Sequence, residues 1–129
     1  MPHPARPFIG INADYVASGK LTTAHVRLNA GYVDAVFAAG GLPVILPPLG
    51  REDELEVLLD RLDGVVLSGG ADMDPRRAGQ PAHRAVQPMA ERREQNDRLL
   101  VGQIVARKMP VLAIGLGMQE LNVVCGGSL

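Results

Sequence analysis

The stretch that decides the fold is Pro110 to Leu129, PVLAIGLGMQELNVVCGGSL. Val111, Leu112, Ala113 and Ile114 form a short apolar run of the kind that builds a buried strand, and Gly115-Leu116-Gly117 supplies a sharp turn after it. Met118, Leu121, Asn122 and Cys125 then recur at helical spacing, which predicts a helix lying back on the sheet with Cys125 in its packed interior. A strand, a tight turn and a helix in this order lift one residue to the carboxyl edge of a sheet, with the next backbone N–H groups aimed at the same point. That is the geometry of a nucleophile elbow.

Upstream of this unit the chain alternates. A helix is expected near Glu91 to Lys108, after a long polar loop from Ser68 to about Met89, and Gly64 to Leu67 reads as a strand. Glu52 to Leu62 carries Leu55, Val57, Leu58, Leu59 and Leu62 in a helical pattern, and Leu42 to Leu46 is a strand closed by Pro47-Pro48. A further helix takes Val26, Leu28, Ala30, Val33, Val36, Phe37 and Ala38 as its apolar members and stops at Gly40-Gly41. Tyr15 to Thr23 is polar and reads as a loop, Phe8 to Ile11 as the first strand, and residues 1–7 as a Pro-rich lead-in. Strands separated by helices of this length predict βαβ crossovers, hence an α/β fold with a doubly wound parallel sheet and helices on both faces over residues 8–129.

Composition restricts the functional classes. The chain has 129 residues, 47% hydrophobic and 21% charged, enough for the core of one soluble domain. A net charge of −1 leaves no electrostatic footprint for nucleic acid or an anionic membrane, so neither is an expected partner. No apolar run approaches the roughly 20 residues that span a bilayer, and MPHPARP holds no apolar signal region, so a cytoplasmic location is expected. One cysteine excludes an internal disulfide framework and a Cys-based zinc cluster, and neither metal nor cofactor is expected.

Four motifs in order carry a resemblance to the class I glutamine amidotransferase superfamily, most closely its γ-glutamyl hydrolase branch, which includes γ-glutamyl-γ-aminobutyrate hydrolase-like and peptidase-type members. Phe8-Ile9-Gly10-Ile11 with Asp14 is similar to the branch's opening strand; Ala39-Gly40-Gly41-Leu42-Pro43-Val44 with Leu46-Pro47-Pro48 is similar to its AGG-PV-L-PP segment. Leu62 to Pro75 resembles its LDG-LL-TGG-D-DP loop, and Glu94, Asp97, Leu99 and Leu100 stand where its pre-elbow helix begins. At the elbow the matching residues are Pro110, Val111, Leu112, Ile114, Gly117, Met118, Gln119, Leu121, Asn122, Gly126 and Gly127. The resemblance implies a flavodoxin-like three-layer α/β/α domain, of which residues 8–129 would be the N-terminal half, ending after the elbow helix. It also implies that further polypeptide, the chain's own C-terminal half or a homo-oligomer partner, packs against this one.

Such an enzyme attacks a γ-glutamyl carbonyl with a Cys thiolate, moves the proton through a His held by a carboxylate, and holds the oxyanion with two backbone N–H groups. By resemblance the nucleophile position is Gly115, the Gly two residues before it is Ala113 and the usual Arg after it is Leu116. Gly69, Gly70, Leu116, Gly117 and Gln119 are the oxyanion and substrate-side positions that the resemblance carries over. The His and acidic half would lie beyond residue 129. A catalytically inactive or altered hydrolase relative is therefore expected, with a small γ-glutamyl or glutamine-like ligand. Two other functions stay open: a non-enzymatic binding or regulatory module of the same fold, and a small nucleotide-binding domain. The last meets an obstacle, since Gly115-Leu116-Gly117 continues to Glu120 where a G-x-G-x-x-G fingerprint needs Gly or Ala.

Other chemistry-bearing residues have plainer roles. His3, His25 and His83 have no Cys or Ser partner in sequence, and Asp72 and Asp74 follow Gly-Gly as turn or cap residues do. Arg92, Arg93 and Arg98 are expected to form a solvated helix face paired with Glu91, Glu94 and Asp97.

Overall fold

The computed structural model describes residues 5–71 and 89–128. In chain order the elements are β1 (Phe8–Asn12), β2 (Asp14–Val16), β3 (His25–Arg27), α1 (Ala30–Ala38), β4 (Leu42–Leu46), α2 (Glu52–Asp60), β5 (Gly64–Leu67), α3 (Glu91–Arg107), β6 (Val111–Ala113) and α4 (Leu116–Val124). The main sheet has the order β4-β1-β5-β6 and every pairing in it is parallel. Asp72, Asp74, His3 and His83 lie outside the described residues.

The register decides the layers. Gly10 stands opposite Val44 and Val65, and Val65 opposite Val111; one residue on, Ile11 stands opposite Ile45 and Val66, and Val66 opposite Leu112. Since successive side chains alternate across a sheet, Val44, Leu46, Val65, Leu67, Val111 and Ala113 share one face, while Ile9, Ile11, Ile45, Val66 and Leu112 share the other. The first face is closed: Leu46, Val65 and Leu67 bury against Leu55 and Leu59 of α2 and Leu100, Val101 and Ile104 of α3, with Leu121 of α4 alongside. Among the described residues the second face carries one helix, α1, packed against β1 and β4, and no residue of α1 itself is fully buried. Beside it a groove of about 640 Å³ runs between Ile9, Tyr32, Val36, Val66, Leu112 and Ile114.

The four sheet strands and the parallel α/β class are as the sequence predicts, with helices on both faces. Differences sit at the edges. Val26 belongs to β3, antiparallel to β2, so Asp14 to Val16 is a strand and α1 begins only at Ala30. Val26 and Leu28 are two residues apart, a strand interval that the helical pattern absorbed. The strand β6 stops at Ala113, although the Ile114 N–H still donates to the Leu67 carbonyl at 2.9 Å. Cys125 is not core: it is the exposed C-cap of α4. Nor is the N-terminal half of α3 a solvated face, because Arg93, Asn96 and Asp97 are each 0% exposed. The expected ion pairs do form, Arg98–Glu94 at 2.7 Å and Arg93–Asp97 at 3.0 Å, but Glu94, Arg93 and Asp97 are buried rather than solvated.

Candidate functional site

From β1 the chain crosses to β4 on one side, and from β5 it crosses to β6 on the other, so the order of winding reverses between the neighbours β1 and β5. The carboxyl ends of two such strands leave a crevice, the usual ligand position in an open α/β sheet. Here it is a cavity of about 310 Å³ lined by Asp14, Arg27, Tyr32, Ser68, Gly69 and Arg93, among others. The two strand ends are locked together. Asn12 Oδ1 accepts from the Ser68 N–H, and Ser68 Oγ donates to the Asn12 carbonyl, both at 2.7 Å.

The elbow stands beside this crevice. Gly115 has φ 52° and ψ −114°, a backbone state strained for any residue with a side chain, and α4 starts at the next residue. The Gly117 N–H donates to the Ile114 carbonyl at 2.9 Å and the Gln119 N–H to the Gly115 carbonyl at 3.1 Å, which closes the turn. Gly117 is needed for contact: a Cβ there would strike the Leu67 carbonyl and lie 2.6 Å from Leu67 Cβ. At Gly115 the space is open, since a Cβ would meet only Gly69 Cα, at 3.6 Å. A Cβ on Gly70 would lie 3.1 Å from Leu116 Cδ2 and strike Arg93 Nη1. The fold thus gathers Gly69, Gly70, Gly115 and Leu116 at one point. As the first residue of α4, Leu116 has an N–H without an intrahelical acceptor. The Gly69 N–H, by contrast, is already engaged, donating to Tyr32 Oη at 2.8 Å.

Three residues whose place at the site sequence reasoning missed are Arg93, which lines the crevice, and Asp97 and Glu120 behind it. Arg93 donates from Nη2 to the Ser68 carbonyl and Ser68 Oγ at 3.1 Å, from Nη1 to the Gly69 carbonyl at 3.2 Å and from Nε to Asp97 Oδ2 at 3.0 Å. Its Nη1 also lies 3.7 Å from Asp14 Oδ2. Glu120, buried on α4, meets Asp97 across the helix pair. Burial first, then the charge of Asp97 and a hydrogen bond to it, push the Glu120 carboxyl up to about 10, against a smaller opposing pull from Arg93. At neutral pH Glu120 is protonated. A signal for this cluster was present in the sequence: Arg93 and Asp97 continue, at spacing of three to four, the same stripe as Leu100, Val101 and Ile104.

Among the described residues, neither His25 nor Cys125 stands beside the elbow. His25 lies on exposed β3 with Nδ1 2.8 Å from the Thr23 carbonyl oxygen, and Cys125 caps the opposite end of α4 from the elbow. Among the described residues no three His, Cys, Asp or Glu side chains are grouped so as to hold a metal ion, and no helix is long and apolar enough to cross a membrane.

Residues 7–129 match the family model of peptidase C26. The chain belongs to the peptidase C26 family. Its relatives include a Mycobacterium tuberculosis protein with a glutamine amidotransferase name, 36% identical over 97% of this chain and 42% of its own length. A glutamine amidotransferase-like protein of Rickettsia prowazekii is 33% identical over 96% of this chain and 45% of its own. The γ-glutamyl-γ-aminobutyrate hydrolase PuuD of Escherichia coli is 36% identical over 79% of this chain and 40% of its own. The chain spans less than half the length of each of these peptidase C26 relatives. The matched portion holds the switch-point crevice and the elbow.

Proposed function

We propose that the chain is the elbow-bearing half of a γ-glutamyl hydrolase-like domain that binds a small γ-glutamyl or glutamine-like ligand without thiol-dependent hydrolysis. One observation carries this. Gly115 keeps the strained backbone of an elbow, with room for a side chain, yet offers only hydrogen where covalent catalysis needs a nucleophile. The remaining parts suit binding. A ligand carbonyl oxygen placed over Gly115 has the Leu116 N–H nearby, and the Gly69-Gly70 turn forms the facing wall. The polar crevice alongside offers Asp14 and Arg27, 3.6 Å apart, for the charged end of an amino acid.

Turnover of a γ-glutamyl anilide by the purified chain tests the proposal. None is expected, either from the chain as it stands or from Gly115→Cys, because a thiol without a base to take its proton recovers little of a triad's rate. Hydrolysis that survives Cys125→Ala would reveal a different nucleophile, and hydrolysis abolished by that change would assign the exposed Cys125 to it. Turnover by Gly115→Cys alone would show that an imidazole of this chain reaches the elbow. Binding is scored separately, by calorimetric titration with L-glutamine.

A further inference from the structure

Arg93 is a fully buried cation whose guanidinium holds two successive backbone carbonyls, Ser68 and Gly69, the Ser68 hydroxyl and the Asp97 carboxylate, with the Asp14 carboxylate 3.7 Å from Nη1. An arginine fork fixes direction as well as distance, since its donors lie in one plane. The residues it grips form the turn that faces Gly115 and Leu116. Behind the fork lies an unusual pairing. Asp97 gives Oδ2 to Arg93, while Asp97 Oδ1 and Glu120 Oε1 are buried and no N–H donor reaches either. Two ionised carboxylates would repel each other in this place and leave those oxygens bare; a single proton between them satisfies both.

We propose that Arg93 is a positioning residue for the Ser68-Gly69-Gly70 turn, and that Asp97 and Glu120, joined by one shared proton, carry its constraint to the elbow helix α4. The inference rests on the proposal that this turn faces the ligand, but it concerns only how the turn is held. The charged groups around Glu120 are Asp97, Glu94 and Arg93 on α3, with Asp14 reaching Arg93 from β2 and Arg98 pairing with Glu94. The strands β5 and β6, against which α4 also packs, bring no titratable side chain. Loss of the shared proton places a second negative charge beside Asp97, so the clamp loosens at alkaline pH and the turn and the elbow respond together.

The test is a pH titration of the purified chain by NMR, with carboxyl ¹³C and amide ¹⁵N detection and no ligand. The Glu120 carboxyl is expected to stay protonated through the range near 4.5 where a free Glu ionises and to titrate only at alkaline pH. The amides of Gly69, Gly70 and Leu116 should shift with the same midpoint. Glu120→Gln keeps a donor toward Asp97, so these three amides should hold their neutral-pH positions and lose the alkaline shift. Arg93→Lys keeps the charge without the fork and should speed exchange of the Gly69 amide by about tenfold or more, the equivalent of one charge-assisted hydrogen bond. A Glu120 carboxyl that ionises near 4.5 in the unaltered chain overturns the shared proton. Amides that stay still while Glu120 titrates overturn the coupling, and would leave Arg93 a structural ion pair only. Neither result depends on whether γ-glutamyl compounds bind or are hydrolysed.

Discussion

Gly117 and Gly115 are two glycines of one turn with different reasons to be glycine. At Gly117 the reason is space, because α4 crosses the end of β5 so closely that a methyl group would enter Leu67. At Gly115 it is conformation alone: φ is positive and the space is free. Gly117→Ala should therefore destabilise the chain by about 1–3 kcal/mol, the usual range for overpacking a tight contact. Gly102→Ala, in the interior of α3 with nothing within 4 Å of the added Cβ, should instead stabilise it by up to about 1 kcal/mol. Urea unfolding of the two variants checks the contrast, and equal effects would mean that α4 does not lie on Leu67. The turn itself was legible from sequence because an apolar run, two glycines and a helical pattern leave the backbone few choices. The engagement of the Gly69 N–H by Tyr32 was not, since the partners are 37 residues apart and nothing local marks either.

At the scale of elements, α3 is where sequence and structure part most. Its first half reads ERREQNDR, and by composition that is a surface helix. The same turns instead reach the exit loops of two strands, β4 and β5: Arg92 Nε donates to the Pro48 carbonyl at 2.9 Å, the Gly50 N–H donates to Asn96 Oδ1 at 3.0 Å, and Arg93 holds Ser68 and Gly69. The buried stripe keeps its helical interval throughout; only its chemistry changes, from apolar under the sheet to ionic at the carboxyl edge, where backbone groups need partners. The hairpin β2–β3 was missed for a related reason. Three-residue strands carry little pattern of their own. Theirs are held by tertiary contacts, Arg92 stacked 4.6 Å over the Tyr15 ring and Asp14 beside Arg27 and Arg93. The α3–α4 contact also carries a stability consequence. Glu120 is raised in the folded state, to about 10 from 4.5, so its contribution is fully present below about 4.5 and is lost as pH rises toward 10. Removing that proton linkage with Glu120→Gln should therefore make the chain progressively more stable than the unaltered one across this window. Melting temperatures of both at several pH values decide it, and parallel curves would place the proton elsewhere.

For the whole molecule the decisive feature is the asymmetry of the two faces. Three helices cover one side of the sheet, whereas on the other α1 leaves Leu112 at 61% exposure and Ile45 at 50%. Among the described residues β6 is also an edge strand, paired with β5 on one side only. A parallel sheet is ordinarily buried on both faces, and an open apolar groove beside an unpaired edge favours contact with further polypeptide. The purified chain is accordingly expected to self-associate at micromolar concentration, with an apparent mass in sedimentation that rises with concentration. Leu112→Glu puts a charge in the middle of the open face without touching the core on the other side, so it should suppress that association while costing little stability, within about 0.5 kcal/mol. The opposite-facing neighbour supplies the control. Ala113 packs against the closed core, and Ala113→Glu should unfold the chain rather than disperse it, because it buries an unpaired charge. If the unaltered chain sediments as a monomer at every concentration, the groove is a stable solvent-facing surface and the expectation of self-association through it fails.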